Sequence, residues 1–252
     1  DHPAVREGLK YLDIDKGVEI HHDGDLPART GLGSSSSFTV GLLNSLYALK
    51  GQIASKEQLA KEAIYIEQEM CHENVGCQDQ VLASYGGFNF IEFGGKNHLG
   101  VRQMTLSPEI VNNLQDHLMM FFTGFHRPQQ QQKKDVHDGM GDHKELNRTP
   151  SSEIISHQLK AMEGKEEKYR TMYDMAVRAV DVLNEHDLKS FGELLHEAWQ
   201  IKRQLSDKIT NKQIDEIYQT AKQAGALGGK IIGGGGGGFM IFIAEPDKQD
   251  RV

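Results

Sequence analysis

The feature that most constrains this chain is Leu26-Pro27-Ala28-Arg29-Thr30-Gly31-Leu32-Gly33-Ser34-Ser35-Ser36-Ser37-Phe38, a glycine-serine stretch that runs straight into an apolar helical pattern. Phe38, Leu42, Leu43, Leu46 and Leu49 recur at helical spacing, which predicts a helix over about 34–50 with its N-terminus at the serines. Pro27 stiffens the entry, and Gly31 and Gly33 permit positive φ and close backbone approach. The unpaired N–H groups of the first helical turn carry partial positive charge, so the segment is suited to hold an anion, phosphate above all. An ordinary serine-rich loop capping a buried helix has the same composition, so the reading needs support from the rest of the chain.

Composition narrows the partners. The chain has 252 residues, 38% hydrophobic and 25% charged, enough for one large or two modest cores. A net charge of -8 argues against a broad nucleic-acid or anionic-membrane surface and favours a small ligand gripped locally. No apolar run reaches membrane-spanning length, and the N-terminus lacks a basic-then-apolar signal pattern, so a cytoplasmic protein is expected. Its oligomeric state is left open. Cys71 and Cys77 suggest neither a disulfide framework nor a paired-cysteine zinc site. With His72, Glu73 and Asp79 they could form a metal cluster, but buried or incidental thiols are the simpler reading. The chain opens at Asp1, and its first expected strand meets the phosphate loop almost at once, so further residues are expected upstream.

Residues 18–23 alternate like a strand leading into the loop, and a second helical pattern covers 56–72. After Gly86-Gly87 come two strands, 88–93 and 99–104, joined by the turn Gly94-Gly95-Lys96-Asn97. Pro108 can start a short helix, and 117–123 reads as a buried strand. The polar stretch 125–149 has almost no core-forming residues and is expected as a surface loop. Its His137, Asp138, Asp142 and His143 could bind a metal, though solvated side chains are the default. Helical patterns follow at 152–163, 166–186, 188–205 and 211–224. Six glycines, 233–238, are flanked by the strand-like segments 229–232 and 239–243. On composition alone such a run is a linker, yet its flanks predict a hairpin with the glycines held between paired strands. Neither glycine segment has the Gly-Lys-Ser/Thr of a Walker A loop, which disfavours a P-loop fold.

A third signal lies between the glycine elements, in Ile66-Glu67-Gln68-Glu69-Met70-Cys71-His72-Glu73-Asn74-Val75-Gly76-Cys77-Gln78-Asp79-Gln80. Phosphoryl transfer to a hydroxyl requires a cradle for nucleotide phosphates, a carboxylate for Mg²⁺ and an acid anion near the acceptor. All three have candidates here. Taken singly, Asp79 could be a helix N-cap and Glu67 a solvated helical charge.

Taken together and in this order, the segments resemble the GHMP kinase family. Residues 27–37 are similar to its phosphate motif, 233–238 to its C-terminal glycine motif, and Gly76-Cys77-Gln78-Asp79-Gln80 to the segment carrying its catalytic aspartate. The resemblance implies an α/β (α+β) two-domain architecture. An N-terminal domain, apparently truncated, would run over 1–106, and a ferredoxin-like C-terminal domain over 107–252, with a polar insert near 126–147. Within the family, 66–80, Tyr85-Gly86-Gly87-Phe88-Asn89 and Phe122-Thr123-Gly124-Phe125 look most like the members that phosphorylate an anomeric hydroxyl. The implied reaction is ATP-dependent phosphorylation of a sugar or sugar phosphate, with a heptose 7-phosphate first and fucose or galactose second. A catalytically silent sugar- or nucleotide-binding regulator is the alternative of another class. The resemblance also implies roles. Gly31, Leu32, Gly33, Ser34, Ser35 and Ser36 would hold the ATP phosphates, with Gly235, Gly236 and Gly237 in support. Ser35 and Glu67 would place Mg²⁺, with Glu69 a second candidate carboxylate, and Asp79 would be the catalytic residue.

Overall fold

The structure is a computed structural model that describes residues 2–24, 31–94, 98–124 and 162–252. By compactness these residues divide into two units, one reaching Gly87 and the other beginning at Phe88. Compactness thus groups the hairpin of residues 89–103 with the second unit, while a domain boundary near residue 106 is retained as a proposal.

The first unit is helical. α1 (Pro3–Tyr11) starts with Pro3 in the first turn, where a missing N–H costs nothing. α2 (Ser34–Leu49) follows Gly33, and α3 (Lys56–Tyr65) is capped by Ser55, whose hydroxyl accepts from the Gln58 N–H at 3.1 Å. The expected helix over 56–72 continues past Tyr65 as a π turn (Ile66–Met70), closed by the Cys71 N–H on the Ile66 carbonyl at 2.8 Å. Such a turn changes the direction of the side chains it carries, and Glu67 is one of them. α4 (Gln78–Tyr85) completes the unit. Leu43, Ala63 and Ile66 are fully buried, and Leu12, Val40, Leu42, Leu46, Tyr47 and Leu59 pack round them. Each large apolar side chain here contributes about 1.5–3 kcal/mol through burial.

The strand expected over residues 18–23 is not formed. A strand is made by its neighbour's hydrogen bonds, and no described segment of the first unit offers an edge; those residues are exposed apart from half-buried Val18. Residues 25–30, the expected insert, the helix expected over 152–163 except its end, and residues 95–97 of the expected turn lie outside the described residues.

In the second unit β1 (Asn89–Gly94) and β2 (His98–Gln103) form an antiparallel hairpin. α5 (Pro108–His117), capped by Ser107, leads into β3 (Leu118–Phe122). Three further helices, α6 (Glu166–Asn184), α7 (Leu188–Lys202) and α8 (Lys212–Ala224), precede β4 (Gly228–Ile231) and β5 (Phe239–Ile243). β3, β5 and β4 make an antiparallel sheet in that order, with Met120, Ile241 and Lys230 abreast. The glycine run therefore closes a hairpin, as its flanks predict. β3 is at the sheet edge among the described strands, and Leu118, Met120, Phe121 and Phe122 are exposed, so the expectation of a buried strand is corrected. An edge strand has one hydrogen-bonded neighbour and lacks the cover of a central one. α7 lies so close to β4 that a Cβ on Gly228 would come within 1.8 Å of the Gly192 carbonyl oxygen. In the same unit Trp199, Tyr218, Met240, Phe242 and Ile243 are buried.

Candidate active site

The start of α2 has the backbone that an anion cradle needs. Gly31 and Gly33 have φ of 87° and 72°, and Gly33, as the residue before the helix, contributes no side chain to cap it. Gly31, Leu32 and Gly33 are half-buried, Ser34 and Ser35 are exposed, and Ser36 is buried. Two of the three serine candidates therefore differ in setting from the third.

Ser36 turns inward. Its hydroxyl donates to Oε2 of Glu67 at 2.9 Å, and Thr39, one turn further along α2, donates to Oε1 at 2.7 Å. Gln80 of α4 donates its carboxamide Nε2–H to the same Oε2. Glu67 is only 2% exposed, so three donors from two helices converge on a buried carboxylate carried by the π turn. Of the paired metal candidates, Ser35 presents its side chain outward while Ser36 meets Glu67. Burying a carboxylate is costly unless donors replace its water, and here they do.

Asp79 sits on the first turn of α4 and packs against Gly33. A Cβ built on Gly33 would lie 3.0 Å from the Asp79 carboxyl carbon and 3.2 Å from Oδ2. The geometry thus brings three sequence candidates together within one unit: the glycine at the head of α2, the Asp79 carboxyl and the Glu67 carboxylate one residue away through Gln80. The loop between π turn and α4 is pinned by Gln68, which donates to the Val75 carbonyl at 2.8 Å and approaches Cys77 Sγ at 3.4 Å. Negative charge accumulates nearby. Burial and then the Glu67 carboxylate push Glu73 above the usual carboxylate value. Burial first, then the Glu73, Glu7 and Glu67 charges, push the Cys71 thiol up to about 11.

The second unit holds the other candidates. Gly235 is buried against the Ile209 backbone, where a Cβ would come within 2.7 Å of the carbonyl oxygen, and the Gly236 N–H donates to that oxygen at 2.9 Å. Thr123 binds the Gly238 carbonyl through its N–H at 2.9 Å and its hydroxyl at 2.8 Å, and Lys202 donates to the Gly233 carbonyl at 2.8 Å. The run is thus a fixed loop built on backbone contacts.

Thr39 and Gln80 escaped the sequence reading. Ser36 and Thr39 are three apart on one helix, so a shared hydroxyl face was legible, whereas the meeting of Gln80 with Glu67 depends on the π turn. Among the described residues no group of three or more His, Cys, Asp or Glu side chains could hold a metal ion. Hard oxygen donors such as Glu67 and serine hydroxyls nevertheless suit Mg²⁺, which takes one or two protein carboxylates and completes its shell with water and phosphate.

A mixed α/β fold with a glycine-headed helix, a carboxyl packed on that glycine and a polyglycine hairpin defines the class, and the chain belongs to the GHMP kinase family. The family's N-terminal domain matches residues 3–87 and its C-terminal domain residues 179–252. Over 230 residues the chain is 27% identical to D-glycero-alpha-D-manno-heptose 7-phosphate kinase of Campylobacter jejuni, covering 91% of this chain and 62% of that protein. It is 30% identical over 255 residues to mevalonate kinase of Pyrococcus furiosus, covering 98% of this chain and 67% of that one. Its fold matches the crystal structure of a D-glycero-D-manno-heptose 1-phosphate kinase from Bacteroides thetaiotaomicron, with a TM-score of 0.65 at 21% identity, covering 99% of this chain and 66% of that one. The chain thus spans about two thirds of the length of these relatives. No helix among the described residues is long and apolar enough to cross a membrane.

Proposed function

We propose that this protein transfers the γ-phosphoryl group of ATP to the anomeric hydroxyl of a sugar, with a heptose 7-phosphate as the first acceptor and fucose or galactose as the second. The observation that carries the reading is the packing of the Asp79 carboxyl on Gly33, at the head of α2. In the proposed reaction the backbone N–H groups of Gly31 to Ser35 bind the nucleotide phosphates as fixed dipoles in place of water. By resemblance to the family's C-terminal glycine motif, the glycine loop 233–238 is the supporting phosphate segment in this reading. Asp79 orients the sugar hydroxyl and takes its proton as the sugar oxygen bonds to phosphorus and the bond to the ADP oxygen breaks. When bound, Mg²⁺ neutralises charge developing on the phosphate oxygens. Glu67 and a loop serine, Ser35 by resemblance, are the residues that would hold it. A cytoplasmic location and a small-molecule acceptor belong to the same reading.

The heptose preference rests on the similarity of 66–80 and 85–89 to heptose and fucose kinases and on the Campylobacter relative. Offering the full-length protein ATP with heptose 7-phosphate, fucose, galactose and mevalonate tests it directly. Turnover of heptose 7-phosphate with the highest kcat/KM is the expected result. Turnover of mevalonate alone would overturn the anomeric-sugar reading, and nucleotide binding with no turnover of any acceptor would favour a silent regulator.

A further inference from the structure

Gln80 is a poor residue by the standards of a protein core. It is wholly buried, and although its Nε2–H donates to Glu67, its Oε1 has no hydrogen-bond partner. A buried acceptor left unmet costs free energy that an apolar side chain of similar volume avoids. The value of this carboxamide therefore lies in what its donor end does to Glu67. A carboxylate has about four acceptor positions, two on each oxygen. Ser36 and Gln80 both donate to Oε2, and Thr39 donates to Oε1. The arrangement leaves one position, on Oε1. Gln80 is also the chain neighbour of Asp79, on the same first turn of α4.

Resting on the kinase reading above, we propose that Gln80 is a positioning residue for the cation. By saturating Oε2 it makes Oε1 the oxygen that Glu67 offers to Mg²⁺. Being the residue after Asp79 and bonded to Glu67, it also fixes the metal carboxylate and the base in one register. It touches neither nucleotide nor acceptor. Outer partners of this kind typically change metal affinity or activity 10- to 100-fold when removed.

The test uses the full-length protein and Gln80→Met, which keeps volume and removes both the donor and the unmet acceptor. ADP affinity is measured without divalent metal and across a Mg²⁺ titration. The expected result is unchanged metal-free ADP affinity, a Mg²⁺ requirement raised about 10- to 100-fold, and a kcat lowered with little change in the KM for ATP at saturating Mg²⁺. A merely structural role would lower metal-free and Mg²⁺-dependent affinity together, which overturns the proposal, as does a wild-type Mg²⁺ requirement. Should Gln80→Met fail to fold, Gln80→Asn, whose shorter side chain withdraws the donor from Glu67 without adding charge, gives the same reading. Asp79→Asn separates the two levels. If it lowers turnover while Gln80→Met leaves the Mg²⁺ requirement unchanged, only the positioning role fails; if the wild type turns over no acceptor, the kinase reading fails as well.

Discussion

At the scale of single residues, the account turns on Gly33. Its left-handed φ of 72° costs an alanine about 1–2 kcal/mol, and the new methyl carbon would press on the Asp79 carboxyl from 3.0 Å. Gly33→Ala is therefore expected to lower Tm by several degrees and to cut kcat about 100-fold, because a misplaced reacting group is that damaging. Scanning calorimetry and steady-state kinetics check the two parts. Cys71 supplies a pH prediction. Its folded thiol stands at about 11, above the ordinary 9.0, so the folded state holds the proton more tightly than the unfolded chain. The contribution is whole below about pH 9 and lost as pH rises towards 11, amounting to about 1–3 kcal/mol at most. Urea denaturation between those pH values should show less alkaline loss in Cys71→Ala than in the wild type.

At the scale of elements, close approach matters more than propensity. A methyl group on Gly228 would collide with the Gly192 carbonyl of α7, so Gly228→Ala should part that helix from β4 and cost about 3 kcal/mol, read by chemical denaturation. The sequence displayed the elements whose causes are local. The glycine-serine head and apolar spacing of α2, the helical spacing of α3, and the flanks that make the polyglycine run a hairpin were all legible. What stayed hidden depends on distant partners. The alternation of residues 18–23 could not reveal that no described neighbour pairs with them, and the apolar run of β3 could not reveal that it lies on an edge. In the candidate site Asp79 and Glu67 were legible as types in a motif. That Ser36, and not Ser35, meets Glu67 was not, because the direction of each serine depends on where the helix begins and on the π turn opposite.

At the scale of the whole molecule, a fold shared with the GHMP kinases leaves the acceptor open, since relatives of similar identity are named for heptose phosphate and for mevalonate. Nucleotide binding is the property these readings have in common. MgATP at about 100 times its Kd should stabilise the native protein by about 2.7 kcal/mol, seen as a rise in Tm of several degrees, whereas a scaffold with merely structural glycines would show no shift. Chemistry at Asp79 is the stricter demand. The most direct measurement is the turnover of Asp79→Asn beside the wild type, with ATP and the preferred sugar, together with the nucleotide affinity of each. The account predicts nucleotide binding within a few-fold and a kcat lower by about 10²- to 10⁴-fold. Full turnover by Asp79→Asn would contradict it.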